Sequence, residues 1–101
     1  MQREFSTKTL IYLRAAELVE KGHCKRVSST DDHGNRCLPL CEEATFFCYY
    51  GAKMRAALEI GGLSAYKQET AAFDSDAVTW NDQPETTAAM VAARLREEAF
   101  K

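Results

Sequence analysis

Nowhere does the chain approach the roughly 18 consecutive apolar residues that a helix needs to cross a bilayer. A transmembrane span is therefore excluded. The first stretch, "MQREFSTKTLIYLRAAELVEKG", interleaves charges among its apolar positions instead of placing them before a greasy segment, so no export signal is read there. There is little imbalance of charge, with 13 Lys and Arg against 15 Asp and Glu, a formal net charge of -2. Such a chain has no global attraction for nucleic acid or an anionic membrane, and any partner must be recognised locally. Glycine-rich phosphate loops and Ser-His-Asp signatures are missing, as are repeats, linkers and low-complexity segments. The expectation is a cytoplasmic protein whose cysteines stay reduced, without a membrane or nucleic-acid partner.

What is present is ordinary globular material, 46% hydrophobic and 28% charged, in 101 residues. That length supports one hydrophobic core and not two, so residues 1–101 are expected to form a single domain. Ile11, Ala15, Leu18 and Val19 lie on one stripe at helical spacing, Ser6 or Thr7 can cap the start, and Lys21-Gly22 stops the helix, predicting Thr7 to Lys21. Periodicity then disappears from His23 to Leu40. "SSTDDHGNR" concentrates turn residues, and its flanks "CKRVS" and "RCLPL" can pair at most as two short strands.

A second helix is expected from about Cys41, with Glu42 and Glu43 at its positive end, through "ATFFCYYGAKMRAALE" to a stop at Gly61-Gly62. Phe47, Gly51, Met54 and Leu58 share one face and Phe46, Tyr50 and Ala57 another, so this helix is expected to be the central one. Gly51 in its interior costs about 1 kcal/mol relative to alanine, which is most easily explained by close approach of another backbone. A short helix between Leu63 and Asp76, capped by Ser64, and a last helix carrying Ala88, Val91, Leu95 and Ala99 follow. Pro84 fits the turn before that last helix, Thr86 or Thr87 its cap, and Arg94, Arg96, Glu97 and Glu98 its water-facing side. The predicted fold is mainly α, a compact four-helix single domain with an irregular loop or short β-hairpin after helix 1.

"DHGN" at Asp32 to Asn35, "CYYGAKMRAALEIGG" at Cys48 to Gly62 and "TWNDQPETTAAMVAARLREEAF" downstream occur in a definite order. In these motifs the chain resembles a small family of bacterial and phage-associated proteins built around a domain of unknown function. That family shows a DxxGN loop, a C-x-x-G-A helix and a W-N-D-x-P-x-x-T approach to its final helix. Gly51-Ala52 and Trp80-Asn81-Asp82 with Pro84 and Thr87 stand where the last two motifs would. His23 stands where the family pattern often carries tryptophan. The resemblance implies a fold and no chemistry, because the family carries no established activity.

The residues of "VTWNDQP" admit two readings. In one, Asn81 or Asp82 folds onto local backbone, Pro84 fixes a turn, Thr87 caps and Trp80 inserts into the core. In the other, Asn81 and Asp82 stay exposed beside an aromatic wall and bind a ligand. His33, Cys37 and Cys41, spaced by three intervening residues, raise a structural zinc site closed by His23 or Cys24, although the Cys-x2-Cys knuckle is missing. Cys48 with His23 or His33 as base would be the one nucleophilic pair available. The acidic pairs Asp31-Asp32, Glu42-Glu43 and Glu97-Glu98 read as solvated groups.

The sequence therefore leads to a non-catalytic protein-interaction or regulatory module, with no cofactor, that binds a protein partner or itself through Trp80, Asn81, Asp82, Tyr49 and Tyr50. The alternatives are a small enzyme or ligand-binding protein with a pocket at the Trp80-Asn81-Asp82 turn, and a structural zinc module using His33, Cys37 and Cys41.

Overall fold

The N-terminal stripe folds as its spacing predicts. In a computed structural model describing residues 5–101, α1 (Thr7–Lys21) starts at Ser6, whose hydroxyl accepts the Thr9 amide at 3.1 Å. It ends at Gly22, whose amide still reaches the Leu18 carbonyl. Ile11, Ala15, Leu18 and Val19 are buried, joined by Thr9 and Ala16.

The next segment departs from expectation twice. β1 (Ser29–Thr30) and β2 (Phe46–Phe47) pair antiparallel, Ser29 opposite Phe47 and Thr30 opposite Phe46. "RCLPL" is thus not the main partner strand; it contributes a bridge from Arg36 to Thr30 and, at Cys37, an amide on the Ser29 carbonyl and a carbonyl that accepts the Ser29 hydroxyl at 2.6 Å. Nor does a helix begin near Cys41. Residues 38–44 make successive turns, and the backbone from Thr45 to Cys48 is claimed on both sides. Thr45 donates to the Thr30 carbonyl at 2.9 Å, Phe47 to Gly22 at 3.1 Å and Cys48 to Ser28 at 3.1 Å, while Cys24 donates to Phe47 at 3.2 Å. Amides held by distant carbonyls cannot serve a local helix, so tertiary pairing overrides the apolar pattern here.

α2 (Tyr49–Ala71) therefore starts eight residues later than expected, capped by Cys48, whose Sγ accepts the Gly51 amide at 3.3 Å. It breaks at Gly62, where φ 76 and ψ -166 lie in a region open to glycine alone at low cost. The arms 49–61 and 63–71 fold back on each other. On a straight helix Lys53 and Glu69 would stand about 24 Å apart. Here Lys53 Nζ lies 3.3 Å from Glu69 Oε1, and the Tyr50 hydroxyl donates to the Thr70 carbonyl at 2.6 Å. The stop at Gly61-Gly62 is real, but the following arm ends at Ala71 instead of continuing to Asp76, and Ser64 lies within it.

A new helix, α3 (Ser75–Asn81), is capped by Asp74 through the Ala77 amide at 3.1 Å. Trp80 and Asn81 thus form the last turn of a helix and not a turn leading into the next one. α4 (Ala88–Ala99) is capped by Thr87, which accepts the Met90 amide at 3.2 Å, while the Thr86 hydroxyl donates to the Trp80 carbonyl at 2.6 Å.

α2 is not the central helix either: α1 lies between α2 and α4 and makes the main contacts of the domain. The reason lies in side-chain size. Ala15, Ala16, Ala52, Ala56, Ala57 and Ala92 are fully buried, and alanine faces let helix backbones approach closely on both sides of α1. Val19, Phe47, Val91 and Leu95 fill what remains. The result is a mainly α, four-helix single domain with one small two-stranded sheet after helix 1. Among the described residues no helix is long and apolar enough to cross a membrane.

Candidate functional site

The end of α3 faces the loop that follows α1, and the side chains of Asn81 and Asp82 bind that loop. Asn81 is fully buried. Its Oδ1 accepts the Tyr49 amide at 3.0 Å and His23 Nε2 at 2.8 Å, and its Nδ2 donates to the Cys24 carbonyl at 3.2 Å and to Asp82 Oδ1 at 3.0 Å. A backbone amide can only donate and a carbonyl only accept, so the amide orientation is fixed and His23 carries its proton on Nε2. Both donors and both acceptor positions of Asn81 are occupied. Asp82 Oδ1 also accepts the Arg26 amide at 2.8 Å, and Lys25 Nζ donates to the carbonyls of Gln83 and Pro84. One loop is thereby fastened to the end of α3 and the start of α2.

This arrangement corrects the local reading of the motif. Asn81 does not fold onto neighbouring backbone; it joins segments far apart in sequence. It is also not the exposed ligand group of the alternative reading, since it has neither surface nor free hydrogen-bonding capacity. A cleft of about 250 Å³ does lie beside the motif, lined by Arg26, Val27, Ser28, Cys48, Tyr50, Phe73, Val78 and Asp82. Only Asp82 of the triplet reaches it.

Of the two tyrosines, Tyr49 is buried and so offers a partner no surface. Tyr50 is half-buried, its hydroxyl engaged by Thr70 and its ring set edge-on to Phe73 at 5.0 Å. Trp80 remains half-buried. Arg94 does not simply face water: its guanidinium lies 4.7 Å from the centre of the Trp80 ring and 5.4 Å from that of Tyr49. Trp80, Met90, Ala93, Arg94, Glu97 and Lys101 line a shallow open groove along α4.

Neither Cys24 nor Cys48 is an activated thiol. Burial pushes the Cys24 thiol up to about 12, with Cys48 and Asp82 adding to it, and burial also raises Cys48 despite the Gly51 amide on its sulfur. Because the thiolate is the nucleophile, such thiols are unreactive at neutral pH. The imidazole nearest in role, His23, directs Nε2 to Asn81 and not to a sulfur. His33, Cys37 and Cys41 are not gathered into a ligand set; among the described residues no three His, Cys, Asp or Glu side chains form one. The Cys37–Cys41 turn is organised instead by Arg55, whose Nη1 donates to the Pro39 and Cys41 carbonyls at 2.9 and 2.7 Å. Asp31 serves the "DHGN" turn, accepting the His33 and Asn35 amides at 2.9 Å each, and Asp32 accepts the Thr45 hydroxyl at 2.7 Å.

Sequence reasoning missed Arg26, His23 and Cys24 as partners of the motif, and Arg94 as the cation on its tryptophan. The sequence marks His23 and Cys24 only as possible metal ligands, with His23 also a possible base for Cys48, and no local signal marks Arg26 or Arg94. Comparisons with protein-family models, with curated proteins and with solved structures found no match for the chain.

Proposed function

We propose that the chain is a non-catalytic protein-interaction module, of the bacterial and phage-associated kind its motifs resemble, that docks a protein partner in the groove between α3 and α4. The observation that carries this reading is Trp80. Its indole stays half-exposed and lines the groove together with the exposed Met90 and Ala93 and with charged residues of both signs, Arg94, Glu97 and Lys101. An aromatic anchor with apolar neighbours and a polar rim is the composition of an interface centre. The polar neighbour Asn81, by contrast, is wholly engaged internally. In this reading the module works in the cytoplasm, where its four free cysteines stay thiols, and a net charge of -2 gives it no pull toward nucleic acid.

Trp80 is the only tryptophan, so its emission reports on the groove directly. The test immobilises the wild-type chain and a Met90→Glu variant, passes a bacterial lysate over both, and follows the purified complex by tryptophan fluorescence. Met90 is 42% exposed, so the charge does not disturb folding. The expected result is a partner held by the wild type, released by Met90→Glu, and accompanied by a shift in Trp80 emission on binding. Equal retention by both chains, or a complex whose tryptophan emission is unchanged, overturns the proposal.

A further inference from the structure

A second surface stands apart from the Trp80 groove. Of the arginines among the described residues, Arg14 pairs with Glu17 and Glu59, Arg55 with Glu59, Arg96 with Glu20, and Arg94 lies over two aromatic rings. Arg26 and Arg36 are the two whose side chains have no carboxylate, hydrogen-bond or aromatic-ring partner among the described residues, and both line one open cleft of about 410 Å³ with Val27, Ser28, Cys37 and Leu38. Leu38 is 58% exposed there, uncovered by any other part of the described chain.

The backbone beneath this cleft is held in an expensive shape. Arg26 is the one described residue other than glycine with positive φ, at 72°, a conformation that crowds any side chain with a Cβ. It is retained because Asp82 takes its amide and Lys25 is tied to the Gln83 and Pro84 carbonyls. Strain of this kind persists only where the surroundings over-determine it, and it concentrates at ligand-contacting positions.

We infer that the Arg26–Arg36 cleft binds an acidic peptide segment, with carboxylates on the two guanidiniums and an apolar side chain on Val27 and Leu38. Planar guanidiniums match carboxylates in a two-point geometry. A free inorganic anion would leave the exposed leucine unused. A nucleic acid would call for a longer row of cations and stacking rings than two arginines supply. The inference does not depend on the Trp80 groove.

The test is fluorescence anisotropy with a dye-labelled peptide of alternating glutamate and leucine, using the full chain. Arg26→Asn removes the charge while keeping a residue that tolerates the left-handed backbone, and Arg36→Gln is a surface change. Each is expected to weaken binding roughly five- to tenfold, Leu38→Asp by a similar factor, and raised salt to weaken it further. Met90→Glu is expected to bind this peptide like the wild type, which separates failure here from failure of the proposed groove. Circular dichroism of every variant checks that it is folded. No saturable binding by the wild type, or equal binding by the Arg26→Asn/Arg36→Gln double variant, overturns the site. Displacement by inorganic phosphate or a single-stranded oligonucleotide at lower concentration than by unlabelled peptide overturns the peptide as its ligand.

Discussion

Gly51→Ala reverses an ordinary rule. In an exposed helix interior the change stabilises by about 1 kcal/mol, since alanine is the better helix former. At this position a Cβ would sit 1.9 Å from the Ser28 carbonyl oxygen, 2.7 Å from its carbon and 3.2 Å from its Cα. All three are backbone atoms, so no side chain can rotate away. Restoring normal contact requires a displacement of roughly 1.5 Å or more, given carbon contacts near 3.5 Å. The segment that must move accepts the Cys48 amide at 3.1 Å and carries Ser29, which pairs with Phe47. Overpacking costs about 1–3 kcal/mol and a broken buried hydrogen bond about 1–3 more. Set against the gain in helix propensity, the net loss is about 3 kcal/mol, or roughly 10–20 °C in Tm for a domain of this size. Urea unfolding followed by Trp80 emission and far-UV circular dichroism measures it, with the midpoint expected to fall at unchanged slope. A Gly51→Ala chain as stable as the wild type, or more so, refutes the close approach.

Asn81→Ala leaves the Tyr49 amide and the Cys24 carbonyl without their partners, and is expected to cost about 2–4 kcal/mol in the same assay. A loss under about 0.5 kcal/mol, typical of surface changes, would show that the network does not hold the loop. The Asn35 and His33 amides hold the Asp31 carboxyl below its usual range. A depressed folded-state pKa contributes stability above the unfolded value, about 3.9, and loses it as pH falls through the folded one. Asp31→Asn should therefore flatten the acid limb of stability against pH; an unchanged limb counts against the turn network. The Cys24 thiol runs the other way: raised by burial to about 12, it favours the fold fully below the unfolded thiol value. That contribution is lost as pH climbs from about 8.5 toward the folded value. Cys24→Ala should thus lose less stability than the wild type between about pH 9 and 11, measured by denaturant midpoints.

Some of the fold was legible because local rules sufficed. α1 and α4 carry strong stripes and conventional caps, and Ser6, Gly22 and Thr87 act where the sequence places them. The Gly61-Gly62 break was readable from composition, and Gly51 from its cost inside a helix. The stretch Cys41–Phe47 was not. Its apolar period suits a helix, but the Thr45 and Phe47 amides are taken by Thr30 and Gly22, and no local pattern announces a hydrogen bond to a carbonyl many residues away.

The candidate site divides along the same line. Residue types alone marked Trp80, Asn81 and Asp82 as a unit and left open whether they face inward or outward. Burial of Asn81, its ties to Cys24 and Tyr49, the positive φ of Arg26, and the pairing of Arg26 with Arg36 on one cleft exist only once distant segments meet. Helix stripes, caps and breaks are set by neighbours within a few residues, so the chain determined them by itself. Which polar groups are satisfied inside and which stay free for a partner depends on long-range closure, and only the tertiary structure decided that.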